Sequence, residues 1–344
     1  MSLAELLRER PVVQAPMAGG SSTPALAAAV DRAGGIGHLA AGYLAPDAVR
    51  DQIRQVREAG AEIFGVNVFV PGPPSDPDAV RAHRLRLESE SGRQGAAVGE
   101  PVHDDDAWEA KIDLLVEAAV PVAGFTFGCP DAATLARLRA AGTATVVTVT
   151  TAEEARTAVG RGADGVCAQG LEAGGHRASF DPVRSGDRPL LDLVDEVVAA
   201  VDVPVIAAGG LMTGEGIARV LGAGAAAAQL GTAFLRCPES GANPAHKAAL
   251  ADPAFDRTAV TWAFTGRPAR GLVNRFITEH PERPYAYPDV HHMTKPLRAA
   301  AARAGDTGGM ALWAGQGFRR ASEDPAGEVV ARLRREAAGA GVRI

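Results

Sequence analysis

Short apolar runs alternate with longer alanine-rich stretches along this chain, and this alternation constrains its fold more than any other feature of the sequence. The apolar runs are continuous, which is typical of parallel strands that are buried on both faces. Helical patterns separate most of them, for example Pro46–Ala59 and Gly214–Gly222. Strands are predicted near Val12–Ala15, Gly35–Leu39, Ile63–Val68, Val122–Phe125, Thr145–Val149, Gly165–Ala168, Val205–Ala207 and Ala226–Leu230.

Eight such units in one chain of 344 residues predict an α/β protein with a closed (β/α)8 TIM barrel. The alternative is a doubly wound open sheet. It is less favoured because Gly19-Gly20 follows the first strand, but no G-x-G-x-x-G fingerprint opens the next helix. The chain is long enough for one large domain with a sizeable insertion.

Two stretches interrupt the repeat. Residues 70–105 are rich in proline, acidic residues and arginine, and they predict a loop excursion with a solvent-exposed helix. Residues 238–310 predict a small, mainly helical subdomain that packs over the mouth of a barrel formed by residues 1–237. Residues 311–344 are expected to return to the barrel and to end in a helix.

Charge and cysteine content exclude several classes of protein. The net charge is −6 and no long basic run occurs, so neither nucleic-acid nor anionic-membrane binding has electrostatic support. The N-terminus lacks the apolar core of a signal peptide, and we expect a cytoplasmic protein. Cys129, Cys167 and Cys237 lie far apart without metal-ligand spacing, so no metal site is predicted. Cys167, inside a strand pattern, is expected to be buried as a small hydrophobe.

Glycine-bearing turns follow the seventh and eighth predicted strands, at Ala207–Leu211 and Ala228–Ala233. In TIM barrels these two loops commonly bind phosphate, because backbone N–H groups can hold an anion without a basic side chain. The turns therefore predict a phosphorylated cofactor or substrate. The alternative is that the glycines serve turn geometry alone.

The loop after the sixth strand, Gln169–Arg177, carries His176, the one histidine within a strand-end glycine loop. Catalytic groups of TIM barrels lie at the carboxyl ends of the strands. We predict that His176 acts as a base or as a hydrogen-bond donor to an anion. The alternative is a histidine that only fixes the loop. The single histidines elsewhere are predicted to be surface or structural residues.

Two further strand ends are candidates for ligand contact. Gln14–Pro24 is a turn with few large side chains, which lets a flat aromatic ligand approach the backbone. Asn67, within Gly65–Phe69, is placed to hydrogen-bond a cofactor. A glycine-requiring turn and a buried asparagine that bonds its neighbours are the alternatives, so neither segment is specific by itself.

Taken in order, these segments closely resemble the nitronate monooxygenase family, formerly called 2-nitropropane dioxygenases. The resemblance runs nearly end to end, and its C-terminal part is similar to the bacterial class I branch. The matching segments are Gln14–Pro24, Gly34–Gly37, Gly65–Phe69, Gln169–Arg177, Ala207–Leu211, Gln229–Leu235, His292–Arg298 and Leu312–Gly317.

The resemblance implies a TIM-barrel flavoprotein that holds FMN non-covalently and acts as a monomer or homodimer. His176 matches the catalytic histidine of the family. The implied reaction is the oxidation of an alkyl nitronate, such as propionate 3-nitronate, by O2 to a carbonyl compound and nitrite. The residues implied to contact FMN are Ala15, Pro16, Met17, Asn67, Gln169, Gly174, Gly175, Gly209, Gly210, Gln229, Leu230, Gly231, Thr232, Trp313 and Gln316.

The chain also departs from the family pattern. Leu171–Gly175 replaces the Gly-Ser that often precedes such a histidine, and Arg283–His292 adds Tyr285, Tyr287 and a double histidine that are expected to shape the substrate pocket. The alternatives are an FMN barrel that uses NAD(P)H, such as a quinone or enoyl-acyl-carrier-protein reductase, a non-catalytic flavin-binding barrel, and a flavin-free phosphosugar enzyme.

Overall fold

A computed structural model describes residues 1–184 and 187–342 of the chain. The strands within these residues are β1 (Val12–Gln14), β2 (Gly37–Ala40), β3 (Phe64–Phe69), β4 (Val122–Thr126), β5 (Ala144–Val149), β6 (Gly165–Gln169), β7 (Gly175–His176), β8 (Val205–Ala208), β9 (Ala227–Leu230), β10 (Thr258–Thr261) and β11 (Ala269–Leu272). In this part of the chain, all strands except β7, β10 and β11 form one parallel eight-stranded sheet. The backbone N–H of Ile36 donates to the Val12 carbonyl at 3.0 Å and so joins β1 to the start of β2. The predicted (β/α)8 barrel is confirmed.

Helices lie between most of the barrel strands and beyond them. They are α1 (Leu3–Glu9), α2 (Pro24–Arg32), α3 (Pro46–Glu58), α4 (Pro77–Arg86), α5 (Glu88–Gln94), α6 (Trp108–Ala118), α7 (Ala132–Ala140), α8 (Ala152–Gly160), α9 (Leu190–Val198), α10 (Gly214–Gly222), α11 (Pro244–Ala249), α12 (Arg275–Glu279), α13 (Asp289–Ala304) and α14 (Ala326–Gly339). Among these described helices, none has the length and apolarity that crossing a bilayer requires.

The first helix closes the bottom of the barrel. Ser2 and Glu5 form a reciprocal capping box that starts α1. Leu3 and Leu7 of α1 then pack against inward-facing residues of the strands, among them Cys167, which is 1% exposed. Cys167 is therefore a buried apolar residue, as its sequence context predicts. With this end filled, a ligand reaches the barrel from the opposite, carboxyl end.

Residues 70–105 form helices whose outer face is exposed, as predicted, but whose inner face is buried. The segment forms α4 and α5, and both pack against α13. Leu87 and Glu90 are completely buried there. The Glu90 carboxylate accepts a hydrogen bond from Arg275 Nη2 at 3.0 Å, and this pairing makes its burial tolerable. Glu90 is thus a buried carboxylate paired with Arg275 and not part of a solvated helix face.

A second, antiparallel sheet lies over the barrel mouth. Strands β10 and β11 pair with each other, and β11 also pairs with β7, which places Ala269 opposite His176. Part of the predicted loop after β6 is therefore a strand. Residues 238–310 contain α11, α12 and α13 as well as β10 and β11. The predicted domain boundaries stay predictions, and the last two residues of segment 311–344 lie outside the described residues.

Candidate active site

A cavity of about 320 Å³ lies at the carboxyl ends of the barrel strands. It is lined by every predicted site residue except Gln316. The side chain of Gln316 is exposed, while its backbone N–H donates to the Glu172 carbonyl at 3.0 Å. The lining residues predicted from the sequence are Ala15, Pro16, Met17, Asn67, Gln169, Gly174, Gly175, His176, Gly209, Gly210, Gln229, Leu230, Gly231, Thr232 and Trp313. Their contacts with FMN stay predictions.

Backbone donors cluster at one end of this cavity, after β8 and β9. Gly209 and Gly210 have φ values of +138° and +65°, which favour glycine. Within the described part of the chain, their N–H groups donate no hydrogen bond. Thr232 Oγ1 accepts from the Gly315 N–H at 3.0 Å, so its hydroxyl proton is available to a ligand. This donor set fits a phosphate monoester.

The C-terminal return of the chain closes the same end through direct glycine contacts. A Cβ on Gly174 would lie only 2.4 Å from the Gly315 nitrogen, and a Cβ on Gly317 would lie 2.5 Å from Met212 Cγ. Side chains at these positions are therefore excluded. The loop after β6 and the Gly315–Gly317 segment thus form one tightly packed wall around the donor cluster.

Asn67 supplies a donor deeper in the cavity. Its Oδ1 accepts a hydrogen bond from Thr126 Oγ1 at 3.1 Å. Its Nδ2 has no partner in residues 1–184 and 187–342, and Asn67 lines the cavity. The amide is thus oriented by Thr126 and leaves its N–H groups for a ligand, which fits the edge of a flavin ring.

Gln169 holds the loop that carries His176. Its Nε2 donates to the His176 carbonyl at 3.0 Å, and its Oε1 accepts from the Ala178 N–H at 2.9 Å and from Arg177 Nη1 at 3.3 Å. Both ends of the amide are therefore engaged within the protein. The family resemblance implies that Gln169 contacts FMN, and the structure adds a positioning role that the motif did not reveal.

The hydrogen bonds of His176 indicate its tautomer. Thr265 Oγ1 donates to the Arg267 carbonyl at 3.2 Å, so it has only a lone pair to offer His176 Nε2, which lies 2.9 Å away. Nε2 therefore carries the proton, and Nδ1 presents a lone pair. Phe127 and Trp313 flank the ring, with centroids at 5.5 and 5.6 Å.

Burial keeps this imidazole neutral. Mainly through loss of solvent, and further through the positive charges of Arg267 and Arg298, the pKa of His176 is lowered to about 3. At neutral pH the ring therefore carries no charge and offers Nδ1 as a hydrogen-bond acceptor. His176 in this cavity is a neutral base rather than a cationic anchor.

Two buried guanidinium groups make the cavity electropositive. Arg298 lines it, and its Nη2 donates to the His291 carbonyl at 3.0 Å. Arg267 lies behind Phe127, with its guanidinium carbon 4.1 Å from the ring centre. Neither forms an ion pair with a carboxylate of the described residues. Burial lowers the pKa of each to about 10, so both stay charged at neutral pH. An anionic ligand is therefore favoured here.

The match to known proteins extends over nearly the whole chain. The model of a protein family described as "Nitronate monooxygenase" matches residues 1–336. The chain belongs to the nitronate monooxygenase family. It is 42% identical over 344 residues to a nitronate monooxygenase of Pseudomonas aeruginosa, covering 96% of this chain and 97% of that relative.

Solved structures agree with this membership. A nitroalkane oxidase from Streptomyces ansochromogenes is 54% identical with a TM-score of 0.93, and the match covers 96% of each chain. FabK from Thermotoga maritima is 28% identical with a TM-score of 0.76, over 98% of this chain and 96% of FabK. As a member of the nitronate monooxygenase family, with relatives named as a monooxygenase and an oxidase, the chain is an enzyme of the oxidoreductase class.

Several residues that line the active-site cavity were not predicted as site residues from the sequence. Tyr43 and Phe127 follow β2 and β4, so their places after barrel strands were an available signal. His246, predicted to be a surface or structural residue, is buried and lines the cavity with Nε2 3.1 Å from the Trp313 carbonyl. Arg298 ends the segment His292–Arg298 that matches the family, but this segment and the charged pattern of helix α13 did not assign it to the site.

The tyrosines and the double histidine of residues 283–292 have separate environments. Tyr287 lies beside His176, with ring centroids 6.0 Å apart, and His291 stacks on Tyr43 at 4.0 Å. His292 pairs with Asp104, whose Oδ2 is 2.7 Å from Nε2. Tyr285 lies against Trp262.

Among the described residues, no group of histidine, cysteine and carboxylate side chains is arranged to hold a metal ion.

Proposed function

We propose that this enzyme is an FMN-dependent nitronate monooxygenase that oxidises alkyl nitronates, such as propionate 3-nitronate, with O2 to a carbonyl compound and nitrite. The observation that carries this proposal is the electropositive cavity, in which Arg298 stands beside the neutral His176. Because Arg298 has no carboxylate partner among the described residues, the negative charge of a nitronate would stabilise it.

FMN is the cofactor that best fits the donors around the cavity. The phosphate would bind the N–H groups of Gly209 and Gly210 and the hydroxyl of Thr232, and Asn67 Nδ2 would donate to the ring. When bound, the flavin supplies the oxidation chemistry and the reaction with O2. The protein binds and orients the substrate and excludes water.

The tautomer of His176 favours a role as base over a role as anion donor. With a neutral nitroalkane, Nδ1 would accept the proton from Cα, while Arg298 would stabilise the negative charge that develops on the nitro oxygens. With a preformed nitronate no such proton transfer is needed. His176 is therefore expected to matter far more for the neutral substrate than for the anion.

Two measurements test the reaction class. Purified holoenzyme should consume O2 and release nitrite with propionate 3-nitronate or ethyl nitronate, whereas NADH should leave the flavin absorbance unchanged without O2. Bleaching by NADH, together with absence of nitrite release, would favour an NAD(P)H-dependent reductase. Absence of turnover with either donor would favour a non-catalytic flavin-binding barrel. A purified protein without flavin absorbance would contradict the cofactor assignment.

The His176→Asn variant tests the role of the histidine. It should retain FMN and nitronate turnover within a few-fold, but lose up to about 100-fold of kcat/KM with neutral nitroethane, which is the lower end of the range for general base catalysis because the lowered pKa weakens His176 as a base. The lowered pKa of His176 also predicts no inflection near pH 6.5 in the nitroethane profile, since the base loses its lone pair only at lower pH. Full nitroethane turnover by a flavin-loaded variant would contradict this role. His246→Asn serves as a control at another cavity-lining histidine.

A further inference from the structure

A second cavity of about 250 Å³ lies beside the first one and is separated from it by two aromatic residues. Tyr43 and Phe69 are the residues that line both spaces within the described part of the chain. The outer cavity is further lined by the apolar side chains of Leu44, Val70 and Pro71. The same cavity is also lined by Asp104, Asp105, Asp106, His292 and Lys295, so removing the aromatic wall would extend the active-site cavity into a space with both apolar and charged lining.

The wall is closely packed. The rings of Tyr43 and Phe69 meet edge to face with centroids 5.3 Å apart, and the other side of Tyr43 stacks on His291 at 4.0 Å. The Tyr287 hydroxyl donates to the Tyr43 hydroxyl at 3.3 Å. A Cβ on Gly42 would lie 2.2 Å from the Phe69 ring, so glycine at this position lets the ring approach the backbone. These contacts leave Tyr43 little freedom to rotate.

An unusual backbone holds Tyr43 in this place. Its φ is +69°, in the left-handed region that a tyrosine adopts only at a cost. Its N–H donates to Asp106 Oδ1 at 3.0 Å, and the buried Lys111 Nζ lies 2.8 Å from the same oxygen. Asp106 and Ala107 are themselves left-handed, with φ of +55° and +54°. Three strained residues thus meet at one charged contact.

We infer that Tyr43 limits the length of the substrate chain and that Asp106, fixed by Lys111, positions it. This inference rests on the proposed nitronate oxidation, because it concerns the substrate side of the same cavity. The substrates of this enzyme are accordingly short-chain nitronates, and longer chains meet the Tyr43–Phe69 wall. Asp106 and Lys111 act through Tyr43 and touch no substrate.

The Tyr43→Ala variant tests the wall. It should raise the ratio of kcat/KM for octyl over ethyl nitronate about 15-fold, because two newly buried methylenes contribute about fourfold each. The dissociation constant of octanoate relative to that of butyrate, measured through the flavin spectrum without turnover, should fall correspondingly. Tyr43→Phe keeps the ring and should keep the ratio. If Tyr43→Ala does not fold, Tyr43→Leu provides the same comparison.

A flavin-loaded Tyr43→Ala enzyme with the wild-type ratio and unchanged carboxylate binding would overturn the inference. By contrast, absence of ethyl nitronate oxidation by the wild type would refute the proposed function, while the carboxylate titration would still test the wall. The two failures are therefore distinguishable.

A double-mutant cycle tests the positioning role of Asp106. Asp106→Ala should raise the octyl-to-ethyl ratio in the wild type but have no further effect in Tyr43→Ala, since it acts only through that side chain. Asp106→Asn keeps an acceptor oxygen for the Tyr43 N–H and should retain most of the wild-type ratio. An equal effect of Asp106→Ala in both backgrounds would show that Asp106 does not act through Tyr43.

Discussion

Replacing Gly174 by alanine should weaken FMN binding, because it displaces the Ala314–Gly315 segment beside the donors proposed for the phosphate. The added Cβ would lie 2.4 Å from the Gly315 nitrogen and 2.5 Å from the Ala314 carbonyl carbon, and both of these are backbone atoms. Ordinary contact begins at 3.4 Å, so the chain at Ala314–Gly315 must shift by 3.4 − 2.4 = 1.0 Å. No side-chain rotation can provide this space.

The cost follows from the contacts that this shift breaks. Overpacking of this kind costs roughly 1–3 kcal/mol. The hydrogen bond from the Gly315 N–H to Thr232 Oγ1, now 3.0 Å, would lengthen beyond its normal range and add about 1 kcal/mol. For a chain of 344 residues, a total of roughly 2–4 kcal/mol corresponds to a fall in Tm of about 3–6 °C.

The assay compares FMN affinity and Tm between Gly174→Ala and Gly160→Ala. Gly160 ends α8 with no atom within 4 Å of an added Cβ, so alanine there should be neutral or slightly stabilising. We expect the dissociation constant of FMN, measured by fluorescence, to rise at least tenfold for Gly174→Ala and to stay unchanged for Gly160→Ala. A Gly174→Ala enzyme with wild-type Tm and FMN affinity would refute this reasoning.

Three other substitutions test the fold and the site. Burial lowers the pKa of His38 to about 4, below its unfolded value. The contribution of His38 to stability is therefore present above pH 6.5 and lost as the pH falls towards 4. Between pH 7 and pH 5, the free energy of urea unfolding should fall by about 2 kcal/mol less for His38→Phe than for the wild type. Gln169→Leu should lower kcat at least tenfold, measured with nitroethane, because the carbonyl of His176 loses the amide that fixes it. Glu90→Ala should cost about 1.5–3 kcal/mol by removing the buried carboxylate that pairs with Arg275, which keeps Glu279 at 3.0 Å and Asp306 at 3.6 Å. The exposed Glu88→Ala should stay within about 0.5 kcal/mol in the same urea titration.

The barrel and its glycine turns were predictable because their signals are local. All eight barrel strands start and end within two residues of their predicted positions, since a strand buried on both faces must be apolar throughout. Gly209 and Gly210 were identifiable because a turn at that place in the repeat needs free N–H groups and positive φ.

Contacts between distant segments were not predictable from local pattern. Glu90 and Arg275 are 185 residues apart, so no local pattern indicates that Glu90 is buried against Arg275. Tyr43 depends on a left-handed backbone and on Asp106, 63 residues away. The orientation of Gln169, which holds His176 from within, is a matter of hydrogen-bond direction and leaves no trace in composition.

Because β7 pairs with β11, the position of His176 depends on the small antiparallel sheet and not on the barrel alone. His176 is the end of a strand whose partner, Ala269, belongs to the sheet over the mouth rather than to the barrel. Local opening of that sheet would displace the imidazole while the eight parallel strands stay intact. Amides of β7 should therefore exchange hydrogen together with those of β10 and β11, and heat should abolish catalysis before the barrel loses its circular-dichroism signal. The temperature at which catalysis is lost should therefore be set by the three-stranded sheet rather than by the barrel.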